Sequence, residues 1–149
     1  MVRLPYWRLS GWYFFYFGFV GCFTPYFGLY LKTLGFDAWR IGIVMAAMPC
    51  MRMLAPALWG LLADRLGHKA RLVRGAMTVS AMVFAAFLVA DGFVSMIAAM
   101  LAMSFFWSAS LPLMEALTLR HLSQAPERYG RVRLWGSVGF IVARLAPRG

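Results

Sequence analysis

Charged residues are scarce in this chain. Of its 149 residues only 13% are Asp, Glu, Lys or Arg, while 62% are hydrophobic, and the mean hydropathy is +0.71. A water-soluble domain carries about a quarter of its residues as charges. Half that charge, gathered into a few clusters, cannot cover a water-exposed surface. The shortage therefore excludes a soluble globular domain and predicts an integral membrane protein whose solvent is the lipid bilayer.

Acidic residues are the scarcest charges, with 5 Asp and Glu against 15 Lys and Arg and a net charge of +10. Such a basic balance is also the footprint of a nucleic-acid-binding domain. Here, however, the cations stand between apolar runs, as they do in the cytoplasmic loops of membrane proteins. No nucleic-acid partner is therefore expected.

Cysteine and histidine are almost absent, with two of each. Cys22 and Cys50 lie inside apolar runs and form no CxxC pair, and His68 and His121 are far apart with no spacing typical of a metal site. No nucleophile–base pattern is present either. We expect no metal, no cofactor and no catalytic residue, hence no enzyme.

Long apolar runs are what the chain has in abundance. A helix needs about 20 apolar residues to cross a bilayer core, and a fifth run of ten residues would rise only about 15 Å. The first run is too long for the apolar region of a signal peptide, and no small-residue cleavage site follows it. The sequence predicts an all-α membrane bundle of four complete spans and a partial fifth, at residues 9–31, 41–63, 72–90, 93–119 and 134–143.

The distribution of cations orients these spans. Ten Lys and Arg fall before the first span, after the second and after the fourth, whereas Lys32 and Arg40 are the two on the opposite side. Because cytoplasmic loops collect Lys and Arg, we expect the N-terminus to be cytoplasmic.

A compact charged segment, Gly60-Leu-Leu-Ala-Asp-Arg-Leu-Gly-His-Lys-Ala-Arg-Leu72, separates the second and third spans on that cytoplasmic side. It resembles the signature of the major facilitator superfamily of secondary transporters, which joins the second and third helices of that family. His68 departs from the family pattern, which usually has Arg or Lys there. The resemblance implies a cytoplasmic gating latch formed by Gly60, Asp64, Arg65, Gly67, Lys69 and Arg71. A plain cytoplasmic loop is the alternative. The rule that cytoplasmic loops are rich in Lys and Arg, however, requires neither Asp64 nor the glycines.

Two further stretches, 51–60 and 129–140, resemble the branch that contains lactose-permease-like, nucleoside–proton and phenylpropionate transporters. The resemblance extends over residues 7–143 and implies a twelve-helix carrier. Residues 1–149 would then form its N-terminal portion, and the C-terminal half would be missing. Since residues 144–149 do not look like the continuation of a family helix, we expect a truncation, by frameshift or by other means.

Three charges lie within predicted spans, and one of them, Arg74, is close enough to the start of the span 72–90 to snorkel to the interface. Arg52 is eleven residues from either end of the span 41–63, near the bilayer centre, where an arginine costs about 2.5–3.5 kcal/mol. We interpret it as an anion-binding group in a central cavity, with a buried structural pair as the alternative. Glu115 is a candidate proton-coupling acid, since apolar surroundings favour a protonated carboxyl group. It lies only about 7–8 Å from Arg120, so pairing with Arg52 would require the fourth span to extend past His121. The alternative is a glutamate at the membrane interface that pairs with Arg120 or Arg131.

Aromatic residues with polar tips are candidates for lining a substrate cavity. Tyr26 and Trp107 are the two selected here, beside Tyr13 and Tyr16. Helix packing and anchoring at the membrane interface are the common alternatives for such residues.

These observations favour secondary active transport of a small organic solute, coupled to protons, in the bacterial inner membrane. The segment by itself is not expected to transport. The alternatives are a small four-helix structural or assembly protein and an oligomeric small multidrug exporter. Such exporters usually carry an acid deep in the first helix, and the run 9–31 contains none.

Overall fold

The computed structural model describes residues 6–123 and 127–146, and within them it contains helices and turns but no strand. The all-α fold predicted from the sequence is confirmed. Residues 1–5, 124–126 and 147–149, which the predicted domain 1–149 includes, lie outside the described residues. The elements in chain order are α1 (Tyr6–Thr33), α2 (Ala38–Leu66), α3 (Lys69–Ala85), a 3-10 turn (Ala86–Leu88), α4 (Phe93–His121) and α5 (Glu127–Leu145).

Four of the helices are long and apolar enough to cross a bilayer. They are α1, α2, α3 with its 3-10 extension, and α4, with 28, 29, 20 and 29 residues. About 20 residues suffice for a crossing because the hydrocarbon core is about 30 Å thick and each helical residue rises 1.5 Å. The protein is therefore a multi-pass membrane protein. The fifth helix, α5, has 19 residues and is not among the four spanning helices, so it is a partial fifth helix of the bundle.

The ends of α2 show why the segment between α2 and α3 is so short. The Asp37 carboxylate caps the start of α2 by accepting a 2.9 Å hydrogen bond from the Arg40 N–H. Gly67 ends it in the left-handed region at φ 66°, and its N–H donates to the Ala63 carbonyl at 3.0 Å. Only Gly67 and His68 are non-helical, so most of the charged segment 60–72, expected as a loop, is helical.

The predicted basic loop 120–133 is likewise shorter than expected. Helix α4 continues to His121, and α5 begins at Glu127. A negative charge in the first turn of a helix is favoured by the helix dipole, and Glu127 occupies that place. The charged side chains at these helix ends reach water while the backbone keeps its helical hydrogen bonds.

The chain divides into two compact units. The first comprises the residues up to Tyr30 together with those from Thr118 onward, and the second is Leu31–Leu117. In the first unit, α1 and α5 run in the same direction, because residues further along one helix contact residues further along the other. Gly18 faces Gly139, and Cys22 donates a 3.4 Å hydrogen bond to the carbonyl of Ala143.

The second unit packs α2, α3 and α4 around apolar side chains. Two hydrogen bonds reinforce it: the Trp59 indole N–H donates to the carbonyl of Phe105 at 2.9 Å, and the Ser80 hydroxyl donates to that of Met103 at 3.1 Å. Small residues allow the helices to approach, as is usual in membrane bundles. The buried core cluster consists of Ala55, Trp59, Ala63, Val73, Ala76, Ala109 and Leu113.

Candidate functional site

The charged segment between α2 and α3 contains one ion pair. The Lys69 ammonium lies 3.5 Å from the Asp64 carboxylate and so links the end of α2 to the start of α3. Both side chains are solvent-accessible, 35% for Lys69 and 75% for Asp64. Ion pairs this accessible are weak. This contact can therefore be exchanged for another at little cost.

The other residues predicted for the latch differ in their surroundings. Arg65 and Arg71 are exposed, and Gly67 forms the tight turn. Gly60 lies inside α2, where an added Cβ atom would meet open space among the described residues. The structure thus places Asp64, Gly67 and Lys69 together at the turn, while the gating role itself stays a prediction.

Arg52 lies at the middle of α2, fourteen residues from Ala38 and fourteen from Leu66, or about 21 Å from each end. It is exposed and makes no hydrogen bond or ion pair with the described parts of the chain. A cation at this depth needs a polar partner or water. Its assignment to a substrate cavity stays a prediction.

The remaining predicted site residues are dispersed. Glu115 is half-buried on α4, and since that helix ends at His121, the extension needed to reach Arg52 is not formed. Tyr26 is exposed on α1, and Trp107 is buried on α4. None of these residues lines the cavity beside Arg133 or the one beside His68.

One arginine that sequence reasoning did not select lines a cavity of about 500 Å³ in the first unit. Arg133 of α5 is half-buried, and its guanidinium carbon lies 5.2 Å from the ring centroid of Phe17 and 5.7 Å from that of Tyr13. Contacts of this kind hold a guanidinium over the ring faces. The cavity is lined by Phe17, Val20, Arg133, Ser137, Phe140 and Ile141.

This arrangement suits the binding of a small polar organic molecule. A guanidinium presents several N–H donors in a rigid fork that matches carboxylate or hydroxyl oxygens, and the Ser137 hydroxyl offers a further polar group beside apolar walls. Pockets of about 300–1,000 Å³ with few polar groups are typical ligand sites.

Arg133 escaped sequence reasoning because it precedes the apolar run 134–143 and counted as a loop cation. Two glycines that follow Arg133 could have indicated that it lies against another helix. Gly136 and Gly139 are three residues apart, so they are neighbours on the helix surface, and small residues there let another helix approach closely. Arg133 precedes Gly136 by the same interval and therefore shares that face.

Metal-binding clusters are absent from the described ranges 6–123 and 127–146, where no group of three His, Cys, Asp or Glu side chains could hold an ion. Cys22 and Cys50 are both exposed, and neither forms a disulfide.

Comparison with known proteins identifies the family. A family model described as "MFS_1 like family" matches residues 6–146, nearly the whole chain. No solved structure matches this chain.

Three curated proteins are similar to this chain. It is 32% identical to the maltose permease of Geobacillus stearothermophilus over 135 residues, which are 90% of this chain and 34% of that protein. It is 34% identical to the "Probable 3-phenylpropionic acid transporter" of Escherichia coli over 134 residues, which are 87% of this chain and 34% of that protein. It is 29% identical to the uncharacterized transporter YwbF of Bacillus subtilis over 146 residues, which are 97% of this chain and 37% of that protein.

The chain thus spans about a third of the length of the curated relatives it matches. The match extends from the start of α1 into the residues after α5, so it includes both units and the charged segment between α2 and α3. The chain belongs to the MFS_1 like family of the major facilitator superfamily of transporters.

Proposed function

We propose that this chain forms the first helices of a secondary active transporter that carries a small organic solute, coupled to protons, across the bacterial inner membrane. Its N-terminus would be cytoplasmic, as the cation count favours. Family membership and the four spanning helices support a transport role. The names of two relatives, a maltose permease and a phenylpropionic acid transporter, support a small organic solute bearing hydroxyl or carboxylate oxygens.

The single structural observation that carries solute binding is the position of Arg133. Its guanidinium is half-buried against two aromatic rings and borders a cavity of about 500 Å³. It lies six residues after the start of α5, about 9 Å along the helix. At that depth the lower polarity strengthens charge-assisted hydrogen bonds to solute oxygens.

The decisive experiment compares two arginines of the same helix in a full-length carrier that contains residues 1–149. Arg133→Gln should lower solute binding by about 10–100-fold, the loss of one or two charge-assisted hydrogen bonds. The control, Arg131→Gln, removes the same charge from an exposed position and should bind normally. Binding of maltose and of 3-phenylpropionate is measured by equilibrium dialysis. Equal binding by both variants would exclude Arg133 from the site.

We also propose the gating role of the segment between α2 and α3. The weak Asp64–Lys69 pair can open, and the exposed Arg65 remains available to another part of the carrier. In a full-length carrier that contains this segment, Asp64→Asn should reduce transport several-fold while leaving membrane insertion unchanged. Uptake in whole cells, normalised to inserted protein, measures this. Full uptake by the variant would refute the latch.

Proton coupling is proposed for Glu115, a half-buried acid on a membrane-spanning helix. In the same full-length carrier, uptake against pH should flatten in Glu115→Gln and keep its shape in Glu127→Gln, which removes an exposed acid from the start of α5. An unchanged profile in the first variant would assign Glu115 a structural role.

Carriers of this class bind their substrates between two structural repeats. We therefore propose that residues 1–149 alone do not transport and require the remaining helices of a full-length carrier, about two-thirds of the relatives' length. Solute uptake by vesicles containing only these 149 residues would contradict this.

A further inference from the structure

A second cavity lies in the second unit, beside the turn between α2 and α3. Its volume is about 490 Å³, within the range of ligand pockets. We call it the α2–α3 groove. Its lining residues are Trp59, Leu62, Leu66, His68, Arg71, Leu72, Gly75, Ala76 and Phe106.

The polar groups of the groove are confined to one end. His68 and Arg71 lie at the turn and in the first helical turn of α3, where the protein meets the membrane surface. His68 Nδ1 is 2.7 Å from the Leu66 carbonyl, and since a carbonyl only accepts, Nδ1 must donate. The imidazole is therefore fixed in orientation. Nε2, the ring's other nitrogen, carries a proton in the imidazolium form, and in that form it donates to an anionic oxygen.

Arg71 is the cation of this end that remains uncommitted. Lys69 is paired with Asp64, whereas Arg71 makes no hydrogen bond or ion pair with the described residues. The first N–H groups of α3 add positive potential, because His68 provides no side-chain cap there. This end of the groove is thus complementary to an anion.

The rest of the groove is apolar and runs inward along the spanning helices. Trp59 lies seven residues before Leu66 on α2, and Ala76 lies seven residues after Lys69 on α3, so the lining extends about 10 Å from the turn on both helices. A free inorganic anion would gain nothing from these walls. A molecule with an anionic head and a hydrocarbon tail would use both ends at the depth where such molecules reside.

We propose that the α2–α3 groove binds an anionic phospholipid, with its phosphate at Arg71 and His68 and one acyl chain along Trp59, Leu62 and Phe106. Basic groups at the cytoplasmic surface attract anionic lipids with a strength that corresponds to about fivefold in affinity per cation. The proposal depends on membrane insertion and not on transport. Failure of the Arg133 or Asp64 experiments would therefore leave it standing.

Native mass spectrometry of the purified protein, expressed from its complete reading frame, tests the charged end. The probes are phosphatidylglycerol and phosphatidylcholine with identical acyl chains, at equal concentration. The wild type should retain phosphatidylglycerol preferentially. Arg71→Gln should reduce that preference about fivefold, and Arg71→Lys should largely restore it. The matched control is Arg74→Gln, which removes the same charge from an exposed α3 residue outside the groove.

The apolar end is tested by filling it. A Cβ atom on Gly75 would meet open space, so Gly75→Leu should fold and place its side chain in the groove. Retention of both lipids should fall. Gly42→Leu is the control, because Gly42 also faces open space but lies on α2 away from the groove.

Four results would overturn the proposal. They are equal retention of the two lipids by the wild type, an equal loss in Arg71→Gln and Arg74→Gln, normal lipid retention in a folded Gly75→Leu, and displacement of the lipid by inorganic phosphate alone. Unchanged thermal unfolding midpoints establish that each variant is folded. If Gly75→Leu does not fold, the Arg71 and Arg74 variants decide the question.

Discussion

In the first unit α5 lies against α1 through glycines, so that backbone meets backbone, whereas in the second unit α2, α3 and α4 meet through alanines, larger side chains such as Trp59, and hydrogen bonds. An added Cβ on Gly139 would overlap the carbonyl of Phe14, and one on Gly21 would lie 2.9 Å from the carbonyl oxygen of Phe140. In the second unit, the Trp59 side chain is buried in the core, and its indole N–H donates to the Phe105 carbonyl at 2.9 Å.

The comparison shows two ways of joining helices where lipid is as apolar as the side chains. A close contact at a glycine forms because glycine has no Cβ atom, so any side-chain carbon added there disrupts it. A contact through Trp59 or Ser80 depends on atoms that are present, so it weakens in steps as they are removed. The first kind suits a helix that must stay in one position. The second kind tolerates adjustment.

The largest effect is expected at Gly139. Gly139→Ala places a carbon against the backbone of Phe14, which cannot rotate away as a side chain can, and should cost about 3 kcal/mol of unfolding free energy. Gly130→Ala in the same helix meets open space and should be neutral or slightly stabilising. Unfolding by SDS titration in mild detergent measures both. Similar values for the two variants would refute the close contact.

An intermediate effect is expected at Trp59. Trp59→Phe keeps an aromatic ring in the core but removes the indole N–H that binds the carbonyl of Phe105, so a loss of about 1–2 kcal/mol is expected. The carbonyl keeps another donor, the Ser108 hydroxyl at 2.8 Å, which limits the loss. Trp39→Phe changes an exposed tryptophan and serves as the control in the same titration. Equal stability of the two variants would show that the bond contributes nothing.

The smallest effect is expected at Ser80. Ser80→Ala removes the 3.1 Å hydrogen bond from α3 to the carbonyl of Met103, and such bonds between membrane helices contribute about 0.6 kcal/mol on average. Thr78→Ala is the control, because its hydroxyl bonds within α3 to Arg74. A loss above about 2 kcal/mol at Ser80 would mean that the second unit is as intolerant as the first.

The helical fold was predictable because hydropathy measures directly what a bilayer demands. A span of 23 uncharged residues such as 9–31 has no other stable solution in lipid than a helix. The ends of the helices were less predictable. Residues 60–66 and 69–72 are charged or lie beside charges, yet they remain helical because a charged side chain can reach water from a helix end.

The candidate site was predictable only in part. Asp64, Gly67 and Lys69 are close in sequence, so their proximity in space follows from local structure. Arg133 acquires its environment from Tyr13 and Phe17, more than a hundred residues earlier. A count of loop cations treats all arginines alike and cannot distinguish the one that packs against a distant helix.

The parallel contact of α1 and α5 also sets the order in which the protein is made. Phe14 and Gly139 are 125 residues apart in the sequence. Three membrane-spanning helices, α2, α3 and α4, are synthesised between them. At about 5–20 residues per second, the ribosome takes roughly 6–25 s to supply α5 after the contact face of α1 has emerged. During that interval Phe14, Gly18 and Gly21 must face lipid or the insertion machinery. Among the described helices, α1 therefore meets α5 only after α2, α3 and α4 have been synthesised.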